Sequence, residues 1–495
     1  MQRILFILLG IQLGISACGP SKNDSAPPPS STSDNENPND TTASVASSSA
    51  GNPQTPPSGE KSASTKRETE KAKDTAKDTA KDTANDTALW LNRLVNEVSA
   101  SSHFLKHPPG HVLDGITQTT WNARGDAPNS EWLEFKFDSP QSISTIVLIT
   151  GWEKMSQKFE SLFYGNSRAQ KVKLLLDGKQ VAVKTGGKHV RRIVFDNINT
   201  TATTIRLLFV ENAAGYQWPQ LAISDVDIWR SAPKKETRVS RCAIPVKASG
   251  IYVAHDVRDH DILAALFPSY DRITGRVAGA QTCLGEKISV FDGLSPIDER
   301  DLRDYGWDAK KYPIVGYRQN LDDGRLLAYV ITSREESNES GALVLAEYKN
   351  GNLAIIPGIN WNATMDAPRV ATFHRLSEKN VWAVPYGRAD LGSVTNSFGD
   401  DVWLQLAERM VLAGKIQSRA NEQLVGDQRG VLHSTAKLRW RPNVVEATDE
   451  VTVDCTDDRG ETVNTLEYTR SYMYEFNGDT LIKTHEDHGV IPHCD

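Results

Sequence analysis

Leu133, Phe135 and Phe137 alternate with Trp132, Glu134 and Lys136, and downstream Ile205, Leu207 and Phe209 alternate with Arg206 and Leu208. Apolar side chains at every second position mark a strand covered on one face, a spacing that an amphipathic helix does not show. Residues 144–150, 171–176, 180–184 and 223–229 read as further short strands, and Asp177-Gly178 between two of them is a two-residue hairpin turn. About seven or eight short strands in about 140 residues predict an all-β sandwich or jelly roll, with bounds at 89–233.

Upstream of that segment the composition changes. Residues 18–88 are built from Ser, Thr, Pro, Asn, Asp and Lys, with almost no large apolar side chain, so burial cannot offset the entropy of ordering them. The tetrad Lys73-Asp74-Thr75-Ala76 recurs at 77–80 and 81–84, and again at 85–88 with Asn85 in place of Lys. Like charges four residues apart repel on a helix, and Asp and Thr are weak helix formers, so the segment reads as a disordered tether. About 70 flexible residues span on the order of 40 to 50 Å.

Near its start the sequence has one basic residue, Arg3, and then an apolar run over 4–15 broken by Gln12. That run is too short to cross a bilayer, which takes about 20 helical residues, so 1–17 reads as a signal peptide. Ile15-Ser16-Ala17-Cys18 resembles the bacterial lipobox. The resemblance implies cleavage before Cys18, acylation there, and a membrane partner held through the lipid anchor. Gly19 follows rather than Asp, which implies an outer-membrane or cell-surface location, facing the periplasm or the exterior. The formal charge of −7 excludes a broadly cationic surface, and nucleic acid is not an expected partner. Four cysteines remain: Cys242, Cys283, Cys455 and Cys494. In an exported chain they predict two disulfides. Three pairings are open, and the nearer neighbours, Cys242 with Cys283 and Cys455 with Cys494, need the least loop closure.

Within the sandwich segment, Leu113-Asp114-Gly115, Thr119-Thr120-Trp121 and Glu131-Trp132-Leu133-Glu134-Phe135 resemble the opening of the discoidin, or coagulation-factor type C, family with its galactose-binding-like fold. Asn166-x-Arg168, Lys171-Val172-Lys173 and Ile223-Ser224-Asp225-Val226 are similar to the NADase-type glycan-binding subgroup. The resemblance implies a glycan partner and a structural calcium ion near Asp114, Thr119 and Asp225, where the family often places a Glu from the closing strand. The residues themselves leave two readings: oxygen ligands for calcium, or side chains that cap the loop by hydrogen bonds. Sugar binding needs aromatic faces with a few fixed polar groups around them. The candidates are Trp152, Phe163, Tyr164, Tyr216 and Trp218, with Asn166 and Arg168 as polar partners.

Residues 234–495 resemble no family. Strand patterns at 287–291, 313–317, 326–332, 342–348, 353–356, 436–440, 450–455, 468–476 and 480–484 predict an α+β, mainly antiparallel domain. An amphipathic helix is predicted over 400–424, with Trp403, Leu406, Met410 and Leu412 among its apolar residues. No G-x-S-x-G, H-E-x-x-H, Walker loop or G-x-G-x-x-G is present. Two polar clusters, 255–261 around His255 and His260, and His485, Asp487, His488 and His493, offer metal or acid-base chemistry; the plainer readings are a turn with a solvated helix start for the first and an exposed C-terminal strand for the second. The expectation is a lipid-anchored protein that binds carbohydrate and is not a catalyst. The alternatives are an envelope hydrolase of glycans or nucleotides, with catalysis in 234–495 and the sandwich as targeting module, and an adhesion or assembly protein.

Overall fold

The computed structural model describes residues 90–495 apart from 126–128, 157–159, 188–189, 233–237, 246–256, 280, 291–311, 336–337, 350, 365–369, 377, 390–395, 425–429, 443, 458, 488–493 and 495. The signal peptide, Cys18, the tether, His255, His488 and His493 lie outside the described residues.

The first part consists of β1 (Val95–Ala100), β2 (Trp121–Asn122), β3 (Trp132–Ile143), β4 (Thr145–Thr150), β5 (Met155–Ser156), β6 (Glu160–Ser161), a short helix α1 (Leu162–Gly165), β7 (Arg168–Leu176), β8 (Lys179–Thr185), β9 (Arg192–Phe195), β10 (Thr200–Ala213) and β11 (Ala222–Trp229). One sheet runs β1-β3-β10-β7-β8 and the facing one β2-β11-β4-β9. Antiparallel pairing sets Ile205 opposite Phe135 and Leu207 opposite Leu133. These four side chains are fully buried with Trp121 and Phe209 between the sheets, as the period of two requires. Asp177 and Gly178 both take positive φ, the backbone of a type I′ hairpin between β7 and β8. The closing strand β11 is buried on both faces. Val226 and Ile228 enter the sandwich core. Asp225 and Asp227, at alternate positions, therefore face the other way, yet they are 0% and 1% exposed.

What covers them comes from the rest of the chain. It contains β12 (Ala243–Pro245), α2 (Asp259–Leu266), β13 (Ile314–Asn320), β14 (Leu326–Glu335), β15 (Asn338–Lys349), β16 (Asn352–Thr364), β17 (Thr372–Leu376), β18 (Lys379–Ala389), β19 (Asn396–Gln405), β20 (Met410–Leu424), β21 (Gly430–Trp440), β22 (Val444–Thr456), β23 (Thr462–Asn477) and β24 (Thr480–Asp487). A five-stranded antiparallel sheet has the order β12-β16-β15-β14-β13, and β17 to β24 form an eight-stranded meander in chain order. Ile262 and Leu266 of α2 share one core with Val330 and Val344 of the first sheet. Tyr329, Trp361, Trp382 and Trp403 join the two sheets in a cluster that also takes Phe163 and Tyr164 of the sandwich. The described residues fall within one contact unit, Lys77–Asp495. Disulfides join Cys242 to Cys283 and Cys455 to Cys494, the pairing of nearer neighbours.

The antiparallel character of this part matches its strand pattern, but the helix expected over 400–424 is instead the hairpin β19-β20. Its strands are apolar on both faces: Val402 and Leu404 enter one core and Trp403 another, so the apolar positions lose the period of two and imitate a helix. The strand expected at 287–291 is reduced, among the described residues, to one bridge between Gln281 and Lys287.

Candidate functional site

At one end of the sandwich a cavity of about 520 Å3 opens between the segment 104–107, the residues that follow β4 and the loop before β11. Its aromatic walls are Phe104, Trp152 and Trp218, and its polar ones include His107, Asn122, Arg124, Asn166 and Gln220. Trp152 is fixed by its indole N–H, which donates to the Gln118 carbonyl at 2.7 Å, and by the edge of His107 at 4.9 Å. Burial, and then the neighbouring His111, hold His107 below the usual histidine range, so its imidazole is neutral at pH 7 and offers one donor and one acceptor. Leu105 stands at the rim, 92% exposed.

Trp218 also borders a second cavity of about 370 Å3 with Tyr216, Gln217 and Asn129. Its ring lies against Gly165, where a Cβ would come within 2.9 Å of it. Tyr216 is 59% exposed, and its hydroxyl donates to the Ser161 carbonyl at 3.3 Å.

The other sequence candidates sit beneath this surface. Asn166 is buried at the cavity floor and donates to the Leu162 carbonyl at 2.9 Å. Arg168 is buried and its Nη1 donates to the carbonyls of Phe163, Tyr164 and Asn166 at 3.0 to 3.3 Å. It thereby ties down the carbonyl end of α1, with its guanidinium 5.2 Å from the ring centres of Phe163 and Tyr164. Those two rings are core residues, edge to face at 4.9 Å. The structure thus brings Trp152, Trp218 and Asn166 to one cavity and Tyr216 to the adjoining one. Arg168 shapes the floor from below, and Tyr164 lies in the core. The sequence reading missed Phe104, Leu105, His107 and Arg124. The adjacent Phe104-Leu105 pair, set in a polar segment without strand period, was the available signal.

The candidate metal loop is drawn tight. Asp114 accepts the Ile116 N–H at 2.8 Å, and Gly115 takes φ +71°. Thr119 Oγ1 lies 3.0 and 2.8 Å from the two Asp114 oxygens, 2.8 Å from the Ile116 carbonyl and 3.4 Å from the His111 carbonyl. One hydroxyl proton cannot serve four acceptors, and such a crowd of oxygens suits a hard cation. Burial pushes the Asp114 carboxyl up to about 6. Asp225 is raised well above the usual range by burial, then by Asp227 and Asp114, but its ligand atoms converge with those of Asp227 and His260 instead. His260 and its neighbours form a buried helix start, not a solvated one. His485 and Asp487 are exposed on β24.

No curated protein matches the chain. Among solved structures, the family 32 carbohydrate-binding module of C. perfringens NanJ, in complex with galactose, is 16% identical over 29% of this chain and 99% of the module, with a TM-score of 0.24. The corresponding module of AlyQ, with 4,5-unsaturated mannuronic acid, is 18% identical over 28% and 96%, at 0.22. A Streptococcus pneumoniae fucose-binding module is 17% identical over 30% and 99%, at 0.22. Residues 90–229, the two-sheet sandwich with its loop cavity, match the family model of the NAD glycohydrolase translocation F5/8 type C domain.

Proposed function

We propose that this protein is a lipid-anchored receptor for carbohydrate on a bacterial envelope, with the sugar held in the cavity between Trp152 and Trp218. The observation that carries the reading is the pairing of two indoles with His107, Asn122, Arg124 and Gln220 around one open space. The apolar face of a pyranose ring stacks on an aromatic surface, and fixed polar groups beside it select hydroxyls. The 71 residues between Cys18 and Trp90 would let that cavity work away from the lipid. Asp114 and Thr119, with the carbonyls of His111 and Ile116, would hold calcium. When bound it would order the loop whose Gln118 carbonyl positions Trp152.

The test is a broad glycan array probed with the whole chain from Gly19, without lipid, because removing 234–495 would expose Asp225 and Asp227. Binding that is lost in Trp152→Ala and Trp218→Ala supports the reading, and no binding on the array defeats it. The anchor is tested separately: Cys18→Ser should abolish incorporation of a fatty-acid probe.

A further inference from the structure

Asp225 and Asp227 lie two residues apart on the face of β11 that turns away from the sandwich core, and α2 brings His260 against them. Single ligand atoms of the three side chains all lie within 4.8 Å of one another, and the residues are 0%, 1% and 1% exposed. Among the described residues, Asp225 Oδ2 and His260 Nε2 have no hydrogen-bond partner, although both are shut off from water. His260 Nε2 stands 3.8 Å from Asp227 Oδ2, beyond hydrogen-bond reach. Leaving such groups unpaired in a dry interior is costly, so the convergence of two of them on one point calls for a partner.

The surrounding charges are largely paired among themselves. Asp259 is paired with Arg318 at 2.9 Å, and Asp261 is bridged by Arg258 at 3.0 Å and Arg272 at 2.6 Å. Asp227 accepts the Trp90 indole N–H at 2.7 Å and has the guanidinium of Arg258, already committed to Asp261, at 3.6 Å. Among the described residues, Asp225 accepts the N–H of Val226 alone, on Oδ1. Arg192 and Arg272 also act on Asp227, but none of these guanidiniums is hydrogen-bonded to Asp225 Oδ2. His260 offers the third donor through a ring nitrogen. The Nδ1 side of that ring faces the Tyr270 hydroxyl at 2.6 Å. In the tautomer whose Nδ1–H donates there, Nε2 turns its lone pair to the carboxylates, as at a metal-bound histidine, and the Arg192 guanidinium lies 3.4 Å from the same Nδ1.

We propose that Asp225, Asp227 and His260 bind one divalent transition-metal ion, zinc or manganese, which joins the closing strand of the sandwich to the helix of the following domain. An imidazole among the donors selects such an ion over calcium, which takes oxygen ligands. Ligand bonds of about 2.0 to 2.2 Å set donor atoms about 3 to 4 Å apart, so the observed group closes with a small movement. Because all three side chains are buried, the ion enters as the two segments fold together.

The experiment uses the whole chain from Gly19, produced with zinc and manganese supplied and also refolded with cobalt(II). Elemental analysis should find about one ion per chain, falling at least about tenfold in His260→Gln and Asp225→Asn. The cobalt(II) form should show one paramagnetically shifted imidazole N–H resonance in the unmutated protein, a readout that stands even if the variants do not fold. The proposal is overturned if the unmutated chain holds neither zinc nor manganese, if calcium alone is found, if the resonance is absent, or if folded His260→Gln keeps its ion.

Discussion

One carboxylate oxygen of Asp259 accepts both the backbone N–H and the hydroxyl of Thr117, at 2.9 and 3.1 Å, across 142 residues of chain. Its other oxygen accepts from Arg318 at 2.9 Å, and its own N–H donates to the Gly115 carbonyl at 3.0 Å. The start of α2 therefore seals the Asp114 to Thr119 loop, and a Cβ on Gly115 would run into the side chain of Arg258. The sandwich and the segment that follows it are fastened through buried polar groups.

Asp259→Ala strands the Arg318 guanidinium and both Thr117 donors in that seam. Breaking a buried pair from one side costs about 3 to 5 kcal/mol, and Thr117→Val should cost about 1 to 2 kcal/mol by the loss of a single buried hydroxyl bond. Calorimetry should show a lowered melting temperature for Asp259→Ala, with the sandwich and the rest melting apart. An unchanged single transition would contradict the assignment of the seam.

The cavity separates contact residues from supports. Trp152→Ala and Trp218→Ala should remove sugar binding, each stacked ring contributing about 0.5 to 1.5 kcal/mol beyond its buried area, while the circular dichroism of the sandwich is kept. Arg168→Ala should act in the opposite order, because three carbonyls lose their donor. Its melting temperature falls first and sugar binding declines as a consequence. Equal loss of fold in all three variants would place the two indoles among the core residues.

Asp114 gives a pH dependence with a defined sign. Burial raises its folded pKa to about 6 from an ordinary value near 3.8, so the folded chain holds that proton more tightly than the unfolded one. In chelator, stability should therefore fall as pH rises from about 4 to about 6, relative to Asp114→Asn, which cannot titrate there. Calcium added at pH 7 should recover part of the loss. Asp261 acts in the other sense. Burial alone would raise it, but Arg258 and Arg272 hold it below the usual range, and its contribution is lost as pH drops below about 4. Urea midpoints of the two proteins across this range decide the matter.

Each disulfide closes a loop of about 40 residues, for which chain entropy gives roughly 3 to 4 kcal/mol. Replacing Cys455 and Cys494 with Ser should lower the urea midpoint accordingly. Peptide mapping without reductant should recover Cys242 with Cys283 and Cys455 with Cys494, and any other pairing refutes the connectivity.

The strands of the sandwich were legible because Leu133, Phe135 and Ile205 face a core on one side and polar surroundings on the other. The hairpin β19-β20 was not, since Trp403 and Val402 are buried on opposite faces of one strand. The seam was hidden for a related reason. Asp225 and Asp227 alternate with Val226 and Ile228 as they would on a strand with one wet face, and nothing local reveals that α2 covers that face. At the cavity, Trp152 and Trp218 could be named from their loop settings, whereas His107 and Arg124 enter it only through the folding of distant turns.

The meander from β17 to β24 pairs every strand with its neighbour in sequence, whereas the sandwich joins β2 to β11 across about 100 residues. Closing short loops costs less entropy than closing long ones, and local topology speeds folding. The meander can therefore zip up hairpin by hairpin, while the sandwich must bring together strands far apart in sequence. Kinetically, the C-terminal sheet is set to be the early structure, and the sandwich the slow step.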